Sequence, residues 1–125
     1  AQPLLISATA PPETVAAVQQ QLGREAAGAL VERIMANIAR GLVERGARRL
    51  VVAGGETAGA VVQALGVTGL RIGRQIDPGV PWTTSLPASS PAGSGKGPIA
   101  LALKSGNFGA PDFFLRAFTV LEGAA

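Results

Sequence analysis

One stretch decides the fold, because a short apolar run passes directly into a glycine turn: Leu50-Val51-Val52-Ala53-Gly54-Gly55-Glu56-Thr57-Ala58-Gly59. Residues 50–53 are typical of a buried strand, and residues 57–65 are typical of a helix. A second junction of this kind follows the apolar run 99–103 and has the sequence Lys104-Ser105-Gly106-Asn107-Phe108-Gly109. Both junctions predict exposed backbone amides at the carboxyl end of a strand, where anions commonly bind.

Strand-like and helix-like segments alternate along the rest of the chain. The predicted strands are residues 4–8, 50–53, 70–73 and 99–103, with an extended stretch over 80–87. The predicted helices are residues 13–22, 24–45, 57–65 and 111–121. This alternation predicts an α/β fold with three-layer character, in which helices flank a largely parallel sheet.

Composition limits the possible functions of this chain. Its 125 residues form at most one domain, 47% of them are hydrophobic, and the formal net charge is only +3. The basic residues are scattered, so we expect no nucleic-acid partner. Cysteine, histidine and tyrosine are all absent, which excludes disulfides, histidine-based acid–base catalysis and zinc sites built on histidine or cysteine.

Two expectations concern location and chain length. No apolar run approaches the roughly 20 residues of a membrane-spanning helix, and no secretory signal is visible, so we expect a cytoplasmic protein without membrane contact. The chain begins at Ala1 and reaches a core-like run within a few residues. We therefore expect residues 1–125 to be the C-terminal portion of a longer protein.

A glycine- and lysine-containing loop resembles a phosphate-binding loop only superficially. The segment Gly93-Ser94-Gly95-Lys96-Gly97 has Gly97 where a P-loop requires serine or threonine, and Ser90 stands where the first glycine should be. A strand follows this segment instead of a helix. We interpret residues 89–97 as a solvated loop.

The two glycine junctions leave several interpretations open. Two glycines at 54 and 55 permit positive φ and leave amides free for a ligand, although an ordinary strand-to-helix turn needs them equally. Thr57 could cap the helix or bind a phosphate oxygen, and Glu56 could orient a ribose hydroxyl or a magnesium-bound water. Lys104 requires either an anion or a salt bridge to Asp112 or Glu56. Phe108 is either a core residue or a platform on which a base stacks.

Three motifs together resemble the four-carbon acid sugar kinase family, long known as a domain of unknown function. They are Gly54 to Gly59, then Asp77-Pro78-Gly79-Val80-Pro81-Trp82, then Leu103 to Gly109, with Asp112-Phe113-Phe114 following. Their order and spacing match the C-terminal, nucleotide-binding domain of that family. This sequence has Ala58 where many members have serine.

The resemblance implies a specific function. Family members phosphorylate acids such as threonate, erythronate or 3-oxo-tetronate with ATP and Mg²⁺, and an N-terminal domain holds most of the sugar-acid site. It implies nucleotide contacts at Gly54, Gly55, Glu56, Thr57 and Gly106, with no catalytic base and no metal ligand within residues 1–125. A homodimer is the expected assembly. The alternatives are a non-catalytic nucleotide- or anion-binding module and a structural module that packs against a partner.

Overall fold

In the computed structural model, which describes residues 3–8, 11–86, 97–106 and 108–123, a pair of helices precedes an α/β unit. The helices are α1 (Pro12–Leu22), α2 (Arg24–Glu44), α3 (Gly55–Leu65) and α4 (Phe113–Glu122). The strands are β1 (Arg49–Ala53), β2 (Leu70–Asp77), β3 (Val80–Ser85) and β4 (Ala100–Lys104). The predicted α/β class is confirmed, and α1 ends as predicted at Gly23, whose φ is +84°.

The four strands form one mixed sheet in the order β1-β4-β3-β2. Only β1 and β4 are parallel, whereas β3 is antiparallel to both β4 and β2. The expectation of a largely parallel sheet is therefore corrected. The cause is the turn at Pro78 and Gly79, two residues whose sequence is typical of a turn, which joins β2 directly to β3. A two-residue connection can only form an antiparallel hairpin, and proline followed by a glycine with φ +82° is typical of a type II turn.

Helices cover both faces of this sheet, as the expected three-layer character requires. On one face, α2 and α3 pack against β1 and β4 through a core that includes Val43, Val61, Leu65 and Leu101. On the other face, α4 packs through Phe113 and Ala117 against a core made by the hairpin and β4, and this core contains Trp82. Leu101 and its neighbour Ala102 are both fully buried, because successive residues of a strand face opposite layers.

The side chain of the one tryptophan attaches α4 to the sheet. Trp82 is 2% exposed, and its indole Nε1 donates a hydrogen bond of 2.7 Å to the carbonyl of Ala117. The ring of Phe118 lies 5.7 Å from the Trp82 ring, centroid to centroid. The helical spacing of Phe113, Phe114 and Phe118 predicts that all three lie in the core. Phe113 is buried and Phe118 packs on Trp82, but the prediction is wrong for Phe114, which is 46% exposed.

The predicted strand at residues 4–8 is wrong for the described structure. Residues 3–8 have no regular secondary structure, and both Leu4 and Leu5 are 76% exposed. None of the four strands pairs with this segment. A strand is stable only where a neighbouring strand accepts its backbone hydrogen bonds, so an apolar run alone does not form one. The predicted solvated loop at 89–97 lies almost entirely outside the described residues.

Candidate functional site

The parallel pairing of β1 with β4 places the two glycine junctions side by side. Ala53 is paired with Lys104 at the carboxyl ends of the two strands. One residue further along, the Gly54 N–H donates a hydrogen bond of 2.8 Å to the Lys104 carbonyl. Two turns that are 50 residues apart in sequence therefore form one continuous edge of the sheet. We call this edge, formed by residues 54–57 and 104–106, the glycine edge.

The first turn leads into a helix without a side-chain cap. Gly54 has φ +112° and ψ 124°, a conformation that is essentially restricted to glycine, and α3 begins at the next residue. The Gly54 carbonyl accepts the first helical hydrogen bond, from the Ala58 N–H, at 2.8 Å. The N–H groups of Gly55, Glu56 and Thr57 have no carbonyl acceptor within the helix, because they come before Ala58. Gly54 has no side chain to cap this end, so, within the described residues, the helix presents unpaired amides and the positive end of its dipole to the glycine edge.

The second turn lies directly against the first. A Cβ atom on Gly55 would lie 3.3 Å from the Ser105 hydroxyl oxygen, so the two turns already touch. Gly106 has φ +45°, and a Cβ atom there would meet nothing within 4 Å. The chain thus combines close contact between the turns with open space beside Gly106.

Lys104 brings a positive charge to this edge. Its side chain is half-buried, and its Nζ donates a hydrogen bond of 2.7 Å to the Gly106 carbonyl. Among the described residues, the ion pairs do not include Lys104, so neither Asp112 nor Glu56 neutralises it. The salt-bridge interpretation is therefore not supported, and an ammonium with two remaining N–H donors stays available to an anion.

A carboxylate from the hairpin holds the loop that follows β4. One oxygen of Asp77, at the end of β2, accepts a hydrogen bond of 3.0 Å from the Ala110 N–H. The same carboxylate receives two hydrogen bonds from one guanidinium nitrogen of Arg116, at 2.6 and 2.7 Å. Arg116 lies on α4 and also pairs with Asp112 at 2.9 Å. The Asp77–Arg116 pair thus ties together the hairpin, the loop and α4.

The charge of Asp77 is stabilised by these contacts. The Arg116 guanidinium, and after it the Ala110 N–H, holds the pKa of the Asp77 carboxyl below its ordinary value. In return, the two carboxylates beside Arg116 raise the pKa of that guanidinium further above its ordinary value. In the sequence, Asp77 stands out only as the first residue of the motif Asp77 to Trp82, and Arg116 does not stand out at all. The sequence gives little sign of the Asp77–Arg116 ion pair, because the two residues are 39 positions apart.

Phe108 lies on the hairpin turn and remains largely accessible. A Cβ atom on Gly79 would lie 2.8 Å from Phe108 Cδ1 and 2.9 Å from Cε1, so the ring rests on the bare glycine backbone. The Phe108 side chain is nevertheless 54% exposed, so the core interpretation of this residue is wrong. Beside it is an open cleft of about 350 Å³. The cleft is lined by Lys104, Phe108, Gly109, Ala110, Pro111, Phe113 and Phe114.

Two carboxylates meet beside the first turn. Glu56, in the first turn of α3, raises the pKa of Glu32 on α2 above its ordinary value, chiefly through side-chain hydrogen bonding between the two carboxyl groups. Burial and the negative charge of Glu56 act in the same direction. Within the described residues there is no group of three or more side chains suited to hold a metal ion. Glu32 was not identified from the sequence.

The structure therefore brings the five predicted site residues together on one edge. Gly54, Gly55, Glu56 and Thr57 form the start of α3, and Gly106 lies on the adjacent turn. Asn107, which also belongs to the second turn, lies outside the described residues. Whether these five residues contact a nucleotide remains a prediction. None of the described helices is both long enough and apolar enough to cross a membrane.

Comparison with known proteins identifies relatives across the whole chain. Residues 1–114 match a family described as the nucleotide-binding C-terminal domain. The chain is 60% identical over 124 residues to a 3-oxo-tetronate kinase of Burkholderia multivorans, covering 99% of this chain and 27% of that protein. A 3-oxo-tetronate kinase of Pseudomonas savastanoi pv. phaseolicola is also 60% identical, with the same coverage of both chains.

A solved structure shows the same fold. The crystal structure of Haemophilus influenzae protein HI1011, of the DUF1537 family, matches with a TM-score of 0.75 and 44% sequence identity. The match covers 90% of this chain and 25% of that one. Residues 1–125 thus span about a quarter of the length of these relatives, and the resemblance to the four-carbon acid sugar kinase family is confirmed.

Proposed function

Because this chain belongs to the family of nucleotide-binding C-terminal domains, we propose that its glycine edge binds the phosphates of ATP. We further propose that the complete protein is a kinase that phosphorylates a four-carbon sugar acid. Of the three acids considered from the sequence, the names of the relatives favour 3-oxo-tetronate over threonate and erythronate. The observation that carries the proposal is the 60% identity to these kinases across nearly every residue of the chain.

The chemistry of the glycine edge supports phosphate binding. The unpaired amides of α3 provide N–H donors at the positive end of a helix dipole. Lys104 adds a cation that no described carboxylate neutralises. Phosphoryl transfer depends mainly on positioning and charge stabilisation, which amides and a lysine supply without a histidine or cysteine. The role proposed for these residues is to bind and orient the phosphates, and the catalytic base is proposed to lie outside residues 1–125.

Mg²⁺ is the cofactor that we propose to accompany ATP. Magnesium is usually held by one or two carboxylates together with substrate phosphates. Within the described residues no side-chain cluster would hold the ion alone, so the ATP phosphates would supply most of its ligands, and Glu56 would orient a water bound to it. When bound, the ion would neutralise charge on the phosphates.

Three further expectations accompany the kinase proposal. We propose a cytoplasmic location, because the substrate ATP is abundant there. A homodimer remains the expected assembly, with ATP and the sugar acid as the only small-molecule partners and without nucleic acid or membrane. A non-catalytic nucleotide-binding module is the competing hypothesis.

Calorimetry on the complete natural protein, with ATP and Mg²⁺, tests the proposal. Gly106→Trp fills the open space beside the second turn and should abolish ATP binding while the fold is retained. Gly66→Trp is the matched control. Gly66 also has a positive φ, of +71°, and open space around its Cβ position, but it lies at the far end of α3, roughly 16 Å away along the helix.

Three outcomes contradict different parts of the proposal. Absence of adenine-nucleotide binding by the unmodified protein would overturn it. Equal loss of binding in both glycine variants would remove the glycine edge as the site. ATP binding without phosphorylation of 3-oxo-tetronate, threonate or erythronate would favour the non-catalytic module.

A further inference from the structure

We propose that Phe108 is the platform on which the adenine base of ATP stacks. This inference rests on the proposed function, since it assigns the part of the nucleotide that lies beyond the glycine edge. It extends the proposed site from phosphate-binding amides to an aromatic subsite at the hairpin turn.

Phe108 is held in place and still remains accessible. It is 54% exposed, more than any of the other three phenylalanines of the chain. The ring rests on Gly79, where a Cβ atom would lie 2.8 Å from it, so a side chain at this position would displace the ring. The ring is thus supported from the hairpin and still offers accessible aromatic surface.

The loop that carries Phe108 is fixed on both sides. The Phe108 N–H donates a hydrogen bond of 3.1 Å to the Ser105 carbonyl, and the Ala110 N–H donates to Asp77 at 3.0 Å. Arg116 holds Asp77 in turn with two short hydrogen bonds. A ring held in this way loses little conformational entropy when a ligand stacks on it, which favours binding.

The position of the ring matches the shape of a nucleotide. The carboxyl ends of β1 and β4 and the hairpin turn between β2 and β3 all lie along one edge of the sheet. Neighbouring strands are about 4.8 Å apart, so the hairpin turn lies about 10 Å from the midpoint of the glycine edge. An extended nucleotide bridges such a distance from its phosphates to its base. Lys104 belongs to the glycine edge and also lines the cleft beside Phe108, which makes the two parts continuous.

Aromatic chemistry favours a base as the occupant. Bases stack on phenylalanine through their π-faces, whatever the hydrogen-bonding pattern of the base edge. A sugar acid would instead require several polar side chains. Apart from Lys104, the side chains lining the cleft are apolar.

The test compares ATP with inorganic tripolyphosphate, which has phosphates but no base. Calorimetry is performed on the complete natural protein and on Phe108→Leu, which keeps an apolar side chain over Gly79 but removes the aromatic face. We expect ATP affinity to fall about tenfold and tripolyphosphate affinity to stay unchanged. Phe108→Tyr keeps the ring and should bind ATP like the unmodified protein. Leu115→Ala, at an 81% exposed position on α4, is the control for a change in surface apolarity.

Each contrary result has a distinct meaning. Unchanged ATP affinity in Phe108→Leu would overturn the proposal that Phe108 stacks on adenine. Equal weakening of ATP and tripolyphosphate binding would also overturn it, since the ring would then act only by positioning the loop. Equal affinity of the unmodified protein for ATP and tripolyphosphate would overturn the stacking proposal as well, but it would leave the proposed phosphate site standing. Binding of neither ligand to the unmodified protein would refute the proposed function itself. Should Phe108→Leu fail to fold, loss of ATP binding by a folded Phe108→Tyr would overturn the platform.

Discussion

The two glycine turns lie against each other but are stabilised in different ways. The turn at Gly54 is short, leads directly into α3, and is joined to the rest of the molecule by a backbone hydrogen bond to β4. The loop after β4 is longer, and side chains from distant segments hold it, through Asp77, Arg116 and the packing of Phe108 on Gly79. The first turn depends on local backbone geometry, and the second depends on tertiary contacts.

This difference predicts different responses to mutation. Backbone strain should disrupt the first turn, because glycine alone adopts its conformation. Removal of a charge should loosen the second, because a carboxylate and a guanidinium hold it. A site assembled from both turns therefore combines a rigid phosphate-binding part with a loop whose position depends on ionisation.

The largest effect is expected from strain at the first turn. Gly54→Val forces a β-branched residue into φ +112°, with Thr57 Oγ1 only 3.3 Å from the new Cβ. We expect a loss of about 1–3 kcal/mol in the free energy of unfolding, together with loss of ATP binding. Urea denaturation and calorimetry measure the two effects.

Gly59→Ala is the matched control for this substitution. Gly59 lies in the middle of α3, and nothing lies within 4 Å of its Cβ position. Alanine there should stabilise the protein by about 0.5–1 kcal/mol, because it favours the helix. A Gly54→Val variant that is as stable as Gly59→Ala would show that local backbone geometry does not control the first turn.

A smaller, pH-dependent effect is expected at the second turn. Arg116 lowers the pKa of Asp77 in the folded protein, so the charged carboxylate adds stability at pH values above its unfolded pKa of about 3.9. This contribution is lost as pH falls through the lower, folded pKa. Asp77→Asn should therefore lower the melting temperature at pH 7, and its difference from the unmodified protein should shrink under acidic conditions.

An exposed ion pair provides the comparison for Asp77. Arg40 and Glu44 are 62% and 53% exposed, whereas the Asp77 side chain is only 13% exposed. Glu44→Gln should leave the melting temperature nearly unchanged at every pH, because exposed pairs contribute little. Equal melting-temperature losses for Asp77→Asn and Glu44→Gln would refute a special role for the Asp77–Arg116 pair.

The smallest effect is expected beside the first turn, at Glu32. Glu56 raises the pKa of Glu32, so the two carboxylates repel each other once both are ionised, at pH values above the raised pKa. Glu32→Gln should therefore raise the melting temperature slightly at pH 7, and this gain should disappear as pH falls below the unfolded pKa of about 4.3 and Glu32 becomes protonated in both states. A melting temperature that falls at pH 7 would show that the Glu32 carboxylate stabilises this turn. Excess Mg²⁺ in the presence of ATP should reduce the gain.

Part of the site was readable from local sequence. Glycines that follow an apolar run and precede a helix predicted both turns, and residue spacing placed Gly54 and Gly106 at strand ends. The Asp77–Arg116 pair was not readable, because an ion pair between residues so far apart depends on how the hairpin and α4 pack. Phe108 was ambiguous for a related reason, since its exposure depends on whether the chain folds over it.

The sequence by itself determined the order of helices and strands, the hairpin turn and the position of glycines where positive φ is required. These features depend on local steric preferences and on hydrophobic periodicity. Only the tertiary structure decided that β1 and β4 are adjacent, that β3 pairs with β4, and that residues 3–8 do not join the sheet. Strand pairing is set by hydrogen bonds and packing between distant segments, and no local preference encodes them.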